Sequence, residues 1–158
     1  MSANPVSIVP IGVVSSARID LSDDNWGSVE SVITIDSPEL MSEALLELNT
    51  FSHIEVIYHL HRVPPEEIER GARHPRGRAD WPNVGILAQR AKARPNLIGV
   101  SRCRLLSVDG RTLSVRGLDA VDGSPVLDIK PYLVEFGPIG EVRQPAWSHE
   151  VMKNYYSG

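Results

Sequence analysis

Two short segments combine residue types that could bind a charged ligand. Residues 90–99 place guanidinium groups ahead of a Pro-Asn turn that leads into a β-like run. Residues 118–125 form a turn in which the carboxylates of Asp119 and Asp122 lie three positions apart. Guanidinium groups bind carboxylates and phosphates in bidentate fashion, and paired carboxylates suit cations or general acid–base work. A purely structural alternative is a simple turn at Asp122-Gly123.

A third segment, residues 126–132, alternates polar side chains along a β-like run. Asp128 and Lys130 share one face of the predicted strand, and Tyr132 lies two positions further on. A carboxylate, an amine and a phenol on one face could orient a substrate or move a proton. The alternative is a surface ion pair between Asp128 and Lys130, which contributes little to stability. The residue types alone leave both possibilities open.

The charge of the chain is concentrated in its middle. The whole sequence of 158 residues has a net charge of −4, yet residues 62–116 carry +7, whereas residues 1–61 carry −8 and residues 117–158 carry −3. Almost all of the basic residues of the middle part are arginines. A basic patch within an acidic protein favours a local polyanion or carboxylate site over a general nucleic-acid coat. A solvated basic loop is the alternative.

Several classes of protein are not favoured by the sequence. Cys103 is the single cysteine, so an intrachain disulfide scaffold is excluded. We find no secretory signal, no apolar run of membrane-spanning length, no phosphate-binding glycine loop and no nucleophile elbow, and we therefore expect a cytoplasmic protein that contacts no membrane. His59, His61 and Glu55 share one face of a predicted strand, but no second pair of ligands accompanies them, so we expect no metal.

The elements that position these residues are predicted to be mainly β. Val- and Ile-rich or alternating runs predict strands over residues 7–16, 29–35, 54–61, 100–108 and 111–117. Asp109-Gly110 is typical of a tight hairpin turn between the last two. Ser37-Pro38 resembles a helix start, and an apolar stripe at Leu40, Met41, Ala44, Leu45 and Leu48 predicts a helix that packs on the sheet.

Two segments lack such periodicity. Residues 62–83 contain several prolines, glycines and arginines, which predicts a long basic loop of the kind that often carries function. Residues 145–158 are expected to form a short helix or an arm, from which Tyr155-Tyr156 could dock on a neighbour. We accordingly expect one domain over residues 1–142 and a C-terminal tail or short helix over residues 143–158.

Taken together, these segments resemble a known family. Residues 10–16 (PIGVVSS), 51–57 (FSHIEVI), 74–77 (HPRG), 90–99 and 118–132 follow one another as in the TrmO family, also called TsaA-like. The resemblance covers about residues 8–140. It implies a single antiparallel β-barrel that acts as a homodimer and uses S-adenosylmethionine to methylate tRNA. The acceptor it implies is N6 of threonylcarbamoyl-adenosine beside the anticodon.

The resemblance also implies which residues form the sites. The methyl donor is expected to contact four regions: the loop at residues 23–27, which we call the early loop, the end of the third strand, the segment around Gly99 and the turn before the last strand. The residues expected to contact it are Asn25, Trp26, Gly27, His61, Arg62, Arg90, Val100, Asp119, Asp122, Gly123, Ser124 and Pro125. The residues expected to contact tRNA are Arg73, Arg76, Arg94 and Asn96. We expect Asp122 to be the general base, or Tyr132 or Lys130 to orient the acceptor.

The sequence departs from the family at two places. Family members often read Arg-Pro-Asn-Pro-Ile-Gly where this chain has Leu97, and they carry Pro and Gln in the early loop where it has Asp23-Asp24-Asn25-Trp26. Longer members also have a further C-terminal domain that helps to grip tRNA. The alternatives are therefore a methyltransferase of the same fold that acts on a small molecule or another RNA base, and a non-catalytic module that binds a ligand or RNA.

Overall fold

Six antiparallel strands close into a barrel in the computed structural model, which describes residues 3–158. The described elements are β1 (Gly12–Ser16), β2 (Glu30–Ile35), β3 (His53–His59), β4 (Ala72–Arg73), β5 (Val84–Gly85), β6 (Ile98–Asp109), β7 (Thr112–Arg116), β8 (Pro125–Pro131) and α1 (Ala146–Met152). The barrel runs in the order β1-β2-β7-β6-β3-β8 and closes by pairing β8 with β1, whereas β4 and β5 pair with each other outside it. The predicted antiparallel barrel is confirmed. Within residues 3–158, no helix has the length and apolar character needed to cross a membrane.

Alternation of side chains along the strands builds the core. Ile54, Val56 and Tyr58 of β3 point inward and are at most 3% exposed, as their period of two predicts. They pack against inward residues of the other strands: Val14, Ile33, Ile35, Cys103, Leu105, Leu113, Val115 and Val126. The barrel interior is therefore filled by side chains. Ligand binding has to occur at its ends or on its outside.

The hairpin between β6 and β7 is confirmed. Asp109 pairs with Thr112, so Gly110 and Arg111 form a two-residue loop. Gly110 has a φ of 56°, a conformation that glycine adopts without steric cost. The tight turn sets the pairing of the strand ends beside it, and the register shifts at a bulge between Leu105 and Ser107.

The helix predicted from Ser37-Pro38 to Leu48 is wrong. The chain forms only two 3₁₀ turns there, Ser42–Leu45 and Leu48–Thr50. The Arg111 guanidinium donates to the carbonyls of Ser37 and Leu40, at 2.6 and 2.9 Å, and so takes acceptors that a helix would need for its own N–H groups. Glu47 also has a φ of 65°, which interrupts helical geometry. A tertiary contact overrides the local pattern here.

The strand predicted over residues 7–16 is shorter than its composition suggests. Pairing starts at Gly12, and Ile8 and Val9 are exposed. Pro10 lacks an N–H group to donate to a ladder, which is consistent with pairing that begins after it. Residues 62–83 form the predicted irregular segment, with 3₁₀ turns at Pro65–Glu67 and Pro75–Gly77 and the two-residue strand β4.

The C-terminal residues pack on the barrel of their own chain. The N–H groups of Asn25 and Trp26 donate to the carbonyls of Asn154 and Tyr155, at 3.0 and 2.8 Å. Trp81 Nε1 donates to the Glu150 carboxylate at 2.7 Å. The tail that follows α1 therefore lies against the early loop and beside one end of the barrel.

Candidate functional site

A cavity of about 680 Å³ lies at the barrel end where β3 finishes and β6 begins. We call it the Asp119 cavity. Its lining comes from the early loop, the ends of β3 and β6, residues 87–94, the turn before β8 and the C-terminal tail. Pockets of 300–1,000 Å³ suit ligands of the size of a nucleoside cofactor. The loops supply most of the polar groups, and the barrel supplies a rigid base.

Asp119 is held at the wall of this cavity by two phenols. Tyr58 Oη donates to Asp119 Oδ1 at 3.0 Å, and Tyr155 Oη donates to Oδ2 at 2.5 Å. Burial raises the pKa of both tyrosines well above the ordinary value, and the Asp119 charge adds to that effect. The phenols therefore stay protonated and act as donors. Each carboxylate oxygen keeps further lone pairs for a ligand.

Gly99 allows Tyr58 to reach Asp119. The two residues are directly paired between β3 and β6, and a Cβ atom at position 99 would lie 2.4 Å from the Tyr58 ring. The Pro-Asn-Leu-Ile-Gly stretch, singled out in the sequence, thus leads into a residue that must be small. Leu97 in the same stretch has a φ of 52°. Proline is fixed near −65° and could not adopt this conformation.

Basic side chains line the rest of the cavity, and several are already engaged within the chain. Arg76 donates to both oxygens of Asp24, at 2.8 and 3.1 Å, and to the carbonyl of Val151 at 2.9 Å. Its hydrogen bonds to Asp24 raise the pKa of Arg76 above the ordinary value. Lys92 Nζ contacts Asp23 Oδ1 at 2.9 Å. These pairs tie the basic segments to the acidic early loop.

Two other arginines differ in how they are held. Arg90 Nη2 donates to the carbonyl of Val100 at 2.8 Å, which fixes the guanidinium at the cavity. Arg73 also lines the cavity, and its buried Nε atom has no hydrogen-bond partner among residues 3–158. Unpaired buried donors are costly, so an anionic ligand beside Arg73 would be stabilised.

The structure brings together most of the residues expected to contact the donor. The ones that line the Asp119 cavity are Trp26, His61, Arg62, Arg90, Val100, Asp119 and Ser124. Those that lie next to it in the chain without lining it are Asn25, Gly27, Asp122, Gly123 and Pro125. Trp26 is 4% exposed, and the Arg18 guanidinium lies 3.9 Å from its ring centroid, so the indole forms a wall of the cavity with one face covered.

Residues expected to contact tRNA or to catalyse are distributed more widely. Arg73, Arg76 and Arg94 line the same cavity, while Asn96 does not. Arg94 donates to the carbonyl of Gln89 at 2.8 Å and so supports the loop. Asp122 lines a separate shallow groove, where its Oδ1 accepts from the Ser16 N–H at 2.9 Å.

Lys130 and Tyr132 lie outside the lining of the Asp119 cavity. Lys130 pairs with Asp128 at 2.8 Å between exposed side chains, and Tyr132 lies 5.0 Å from the Arg102 guanidinium. Among residues 3–158, no cluster of His, Cys, Asp or Glu is arranged to hold a metal ion. His61 lines the cavity, and burial, His59 and Arg62 together lower its pKa.

Sequence reasoning missed the tyrosines around Asp119. The alternation of the strand predicted over residues 54–61 places Tyr58 on the core face, but it does not indicate that the Tyr58 hydroxyl reaches Asp119. Tyr155 and Tyr156 were noted as an arm for a neighbouring molecule, but both line the cavity of their own chain. Two adjacent aromatics at a chain end were the available signal. Only the tertiary fold shows that they meet residue 119.

The fold is a closed six-stranded antiparallel barrel with a mixed-charge cavity at one end. Residues 23–137 match the family described as the tRNA-methyltransferase O N-terminal domain. The chain belongs to this family.

Relatives extend the match over most of the chain. A probable S-adenosyl-L-methionine-binding protein of Methanothermobacter thermautotrophicus is 42% identical over 147 residues, which cover 89% of this chain and 99% of that protein. A human tRNA (adenine(37)-N6)-methyltransferase is 29% identical over 114 residues, 72% of this chain and 25% of that one. A crystal structure of TrmO from Pseudomonas aeruginosa is 28% identical with a TM-score of 0.72, covering 89% of this chain and 61% of that chain. The chain thus spans nearly all of the first relative but less than two thirds of the other two.

Proposed function

We propose that this protein is an S-adenosylmethionine-dependent methyltransferase that acts on adenosine 37 of tRNA, and that N6 of the threonylcarbamoylated base is the acceptor. The observation that carries the proposal is the Asp119 cavity, in which a fixed carboxylate and a fixed guanidinium face the same space. Family membership and the names of the relatives support the same donor and the same class of acceptor.

The lining residues fit the chemical groups of the donor. S-adenosylmethionine, when bound, supplies a methyl group on a positively charged sulfur, and it also carries a carboxylate, an amine and an adenosine. Asp119 suits the positive groups or the ribose hydroxyls, and Arg90 suits the carboxylate. Val100 and the edge of Trp26 supply apolar surface for the base. The cavity is large enough for a ligand of this size.

The chain's part in the transfer is chiefly to hold the acceptor nitrogen in line with the methyl group and to accept its proton. Positioning supplies much of the acceleration in such displacements. N6 of the modified base lies between a purine and a carbonyl, so its proton needs only a modest base. We propose Asp122 for this role, because it follows the lining residue Val121 and its charge acts on His61, which lines the cavity. Lys130 or Tyr132 could orient the acceptor only if the substrate reaches beyond the cavity.

The role of Asp122 is tested by Asp122→Asn. The variant keeps the size of the side chain and an oxygen that can accept from Ser16, so the turn is expected to be retained. A general base contributes about 10²–10⁴-fold to a rate, and we expect turnover at saturating tRNA and donor to fall by at least tenfold. Donor affinity is the control and is expected to stay within twofold. An unchanged turnover would exclude Asp122 as the base.

Recognition of tRNA is proposed to use the arginines beside the cavity, with Arg73 as the main contact and Arg76, Arg94 and Asn96 supporting the surface. Arg73 has spare donor capacity, whereas Arg76 and Arg94 are bonded within the chain. Arg73→Ala is expected to weaken tRNA binding about tenfold and to reduce the slope of affinity against salt by about one. Arg104→Ala, an exposed arginine of β6 that does not line the cavity, is the matched control.

We further propose that the protein is a homodimer and that it works where tRNA is modified in the cytoplasm. After β8, one segment leaves large apolar side chains exposed: Val134, Phe136, Ile139 and Val142, of which Ile139 is 100% exposed. Such a patch supports an interface with a second copy. Light scattering on Phe136→Glu tests it, because this charge should convert a dimer into a monomer.

The activity is tested with labelled S-adenosylmethionine and total tRNA from cells with and without the threonylcarbamoyl modification, followed by mass spectrometry of the nucleosides. The proposal predicts methyl incorporation into modified tRNA only. Donor binding without incorporation would point to a small molecule or another RNA base as acceptor. The absence of donor binding would favour a non-catalytic module.

A further inference from the structure

The C-terminal tail is held at the barrel end by contacts from Val151 to Tyr156. Two backbone hydrogen bonds join Asn154 and Tyr155 to the early loop, and Arg76 donates to the carbonyl of Val151. At Gly27, a Cβ atom would lie only 2.0 Å from the carbonyl oxygen of Tyr156. Glycine at position 27 therefore leaves space for the tail backbone, and a larger residue there would displace the tail.

The tail leaves the cavity open to a ligand while it is docked. The volume of about 680 Å³ is present with the tail in place, and the tail contributes Trp147, Val151, Met152 and both tyrosines to its lining. A tail that competed with a ligand would fill this space. The tail instead forms one wall of the site.

Within that wall, Tyr155 has a specific contact. Its hydroxyl donates to Asp119 Oδ2, while the single hydroxyl proton of Tyr58 is shared between Oδ1 at 3.0 Å and the Asp119 carbonyl oxygen at 2.9 Å. A carboxylate on a turn has rotational freedom about its own side chain, and two donors from separate elements remove it. β3 supplies one of these donors, and residues beyond the matched family region supply the other.

We propose that Tyr155 is a positioning residue of the methyl-donor site, which fixes the Asp119 carboxylate so that it presents its remaining lone pairs to the donor. The inference rests on the proposed function, because it assigns the Asp119 cavity to the donor. It adds that the C-terminal tail is part of the site. A barrel without this tail is then expected to bind the donor weakly.

The test is a double-mutant cycle on the full chain with Tyr155→Phe and Asp119→Asn. Tyr155→Phe removes only the hydroxyl and keeps the ring that packs in the wall. Calorimetry measures the dissociation constants of S-adenosylmethionine and S-adenosylhomocysteine for the wild type, both single variants and the double variant. Thermal unfolding confirms that each variant is folded at the temperature of the titration.

The inference predicts that Tyr155→Phe weakens donor binding about tenfold in the wild-type background and less than twofold in the Asp119→Asn background. In turnover assays the KM for the donor should rise, while kcat at saturating donor stays within twofold. An unchanged affinity of Tyr155→Phe, or the same loss in both backgrounds, would overturn the inference and leave the proposed function intact. A wild-type chain that binds neither ligand would contradict the proposed function itself, and the inference with it.

Discussion

Asp119 and Asp128 are carboxylates of neighbouring segments whose surroundings differ completely. Asp119 is half-buried between two phenols that belong to distant parts of the chain. The Asp128 side chain is 50% exposed and pairs with Lys130, whose side chain is 63% exposed. In the sequence, both carboxylates lie in dense polar segments and look alike as candidates. The difference shows that a polar cluster can form a binding site when separate elements of the fold enclose it, as at Asp119. Solvent screens the charges of Asp128 and Lys130, which no other element encloses.

The largest expected difference between the regions around Asp119 and Asp128 is in the reactivity of a thiol. Cys103 lies in the core, and burial, together with the Asp119 charge, raises its pKa to about 12. At pH 8 its thiolate fraction is then about 10⁻⁴, against roughly a quarter for an ordinary exposed cysteine. We expect iodoacetamide to modify Cys103 about 10³-fold more slowly than a cysteine placed by Lys130→Cys in a Cys103→Ser background. Comparable rates would mean that the barrel around Cys103 opens readily. Unfolding in urea should remove the difference in rate.

Donor affinity is expected to separate the two carboxylates next. Asp119→Asn should weaken S-adenosylmethionine binding about 100-fold, close to 2.7 kcal/mol, because it removes a charge held in a partly enclosed site. Asp128→Asn is the matched control and should leave affinity within twofold, since Asp128 does not line the cavity. Calorimetry on both variants measures the difference. Equal effects would place the donor elsewhere.

Substitution at Gly27 tests whether the tail contributes to this difference. Gly27→Ala introduces a Cβ atom against the Tyr156 carbonyl and should displace the tail, with a loss of donor affinity of about tenfold. Limited proteolysis should then cleave residues 145–158 faster. Gly85→Ala is the control, because a Cβ atom there meets nothing within 4 Å. If the tail is cleaved faster but the affinity for the donor is unchanged, the tail does not contribute to donor binding.

The smallest effect is expected at the exposed pair. Lys130→Ala should change the free energy of unfolding by less than about 0.5 kcal/mol, because exposed ion pairs contribute little and are screened by salt. Denaturant titration at low and high salt measures it. A loss above 1 kcal/mol would show that Lys130 has a structural role beyond the pair with Asp128.

Much of the barrel could be predicted from local sequence, for physical reasons. Alternation in β3 and the Asp109-Gly110 turn report on a two-sided sheet surface and on a tight hairpin, both of which are local properties. The helix at residues 37–48 could not be excluded in this way, because the carbonyl acceptors are taken by Arg111, which lies about 70 residues away.

The site was predictable in its barrel part and not in its tail. The resemblance implies that Trp26, His61, Arg90 and Asp119 contact the donor, and all four line one cavity. Tyr155 lies beyond the region of resemblance, and its contact with Asp119 spans 36 residues of sequence with no periodic pattern to indicate it. Asp122, Lys130 and Tyr132 were chosen for their chemistry. None of the three lines the Asp119 cavity.

A crystal structure of the full chain with S-adenosylhomocysteine would show whether the tail is part of the donor site. We expect the ligand to occupy the Asp119 cavity, a positive or hydroxyl group of the ligand to contact the Asp119 carboxylate, and Tyr155 to stay bonded to that carboxylate with the tail docked. Ligand density at another part of the barrel, or within the cavity with the tail expelled, would contradict this expectation.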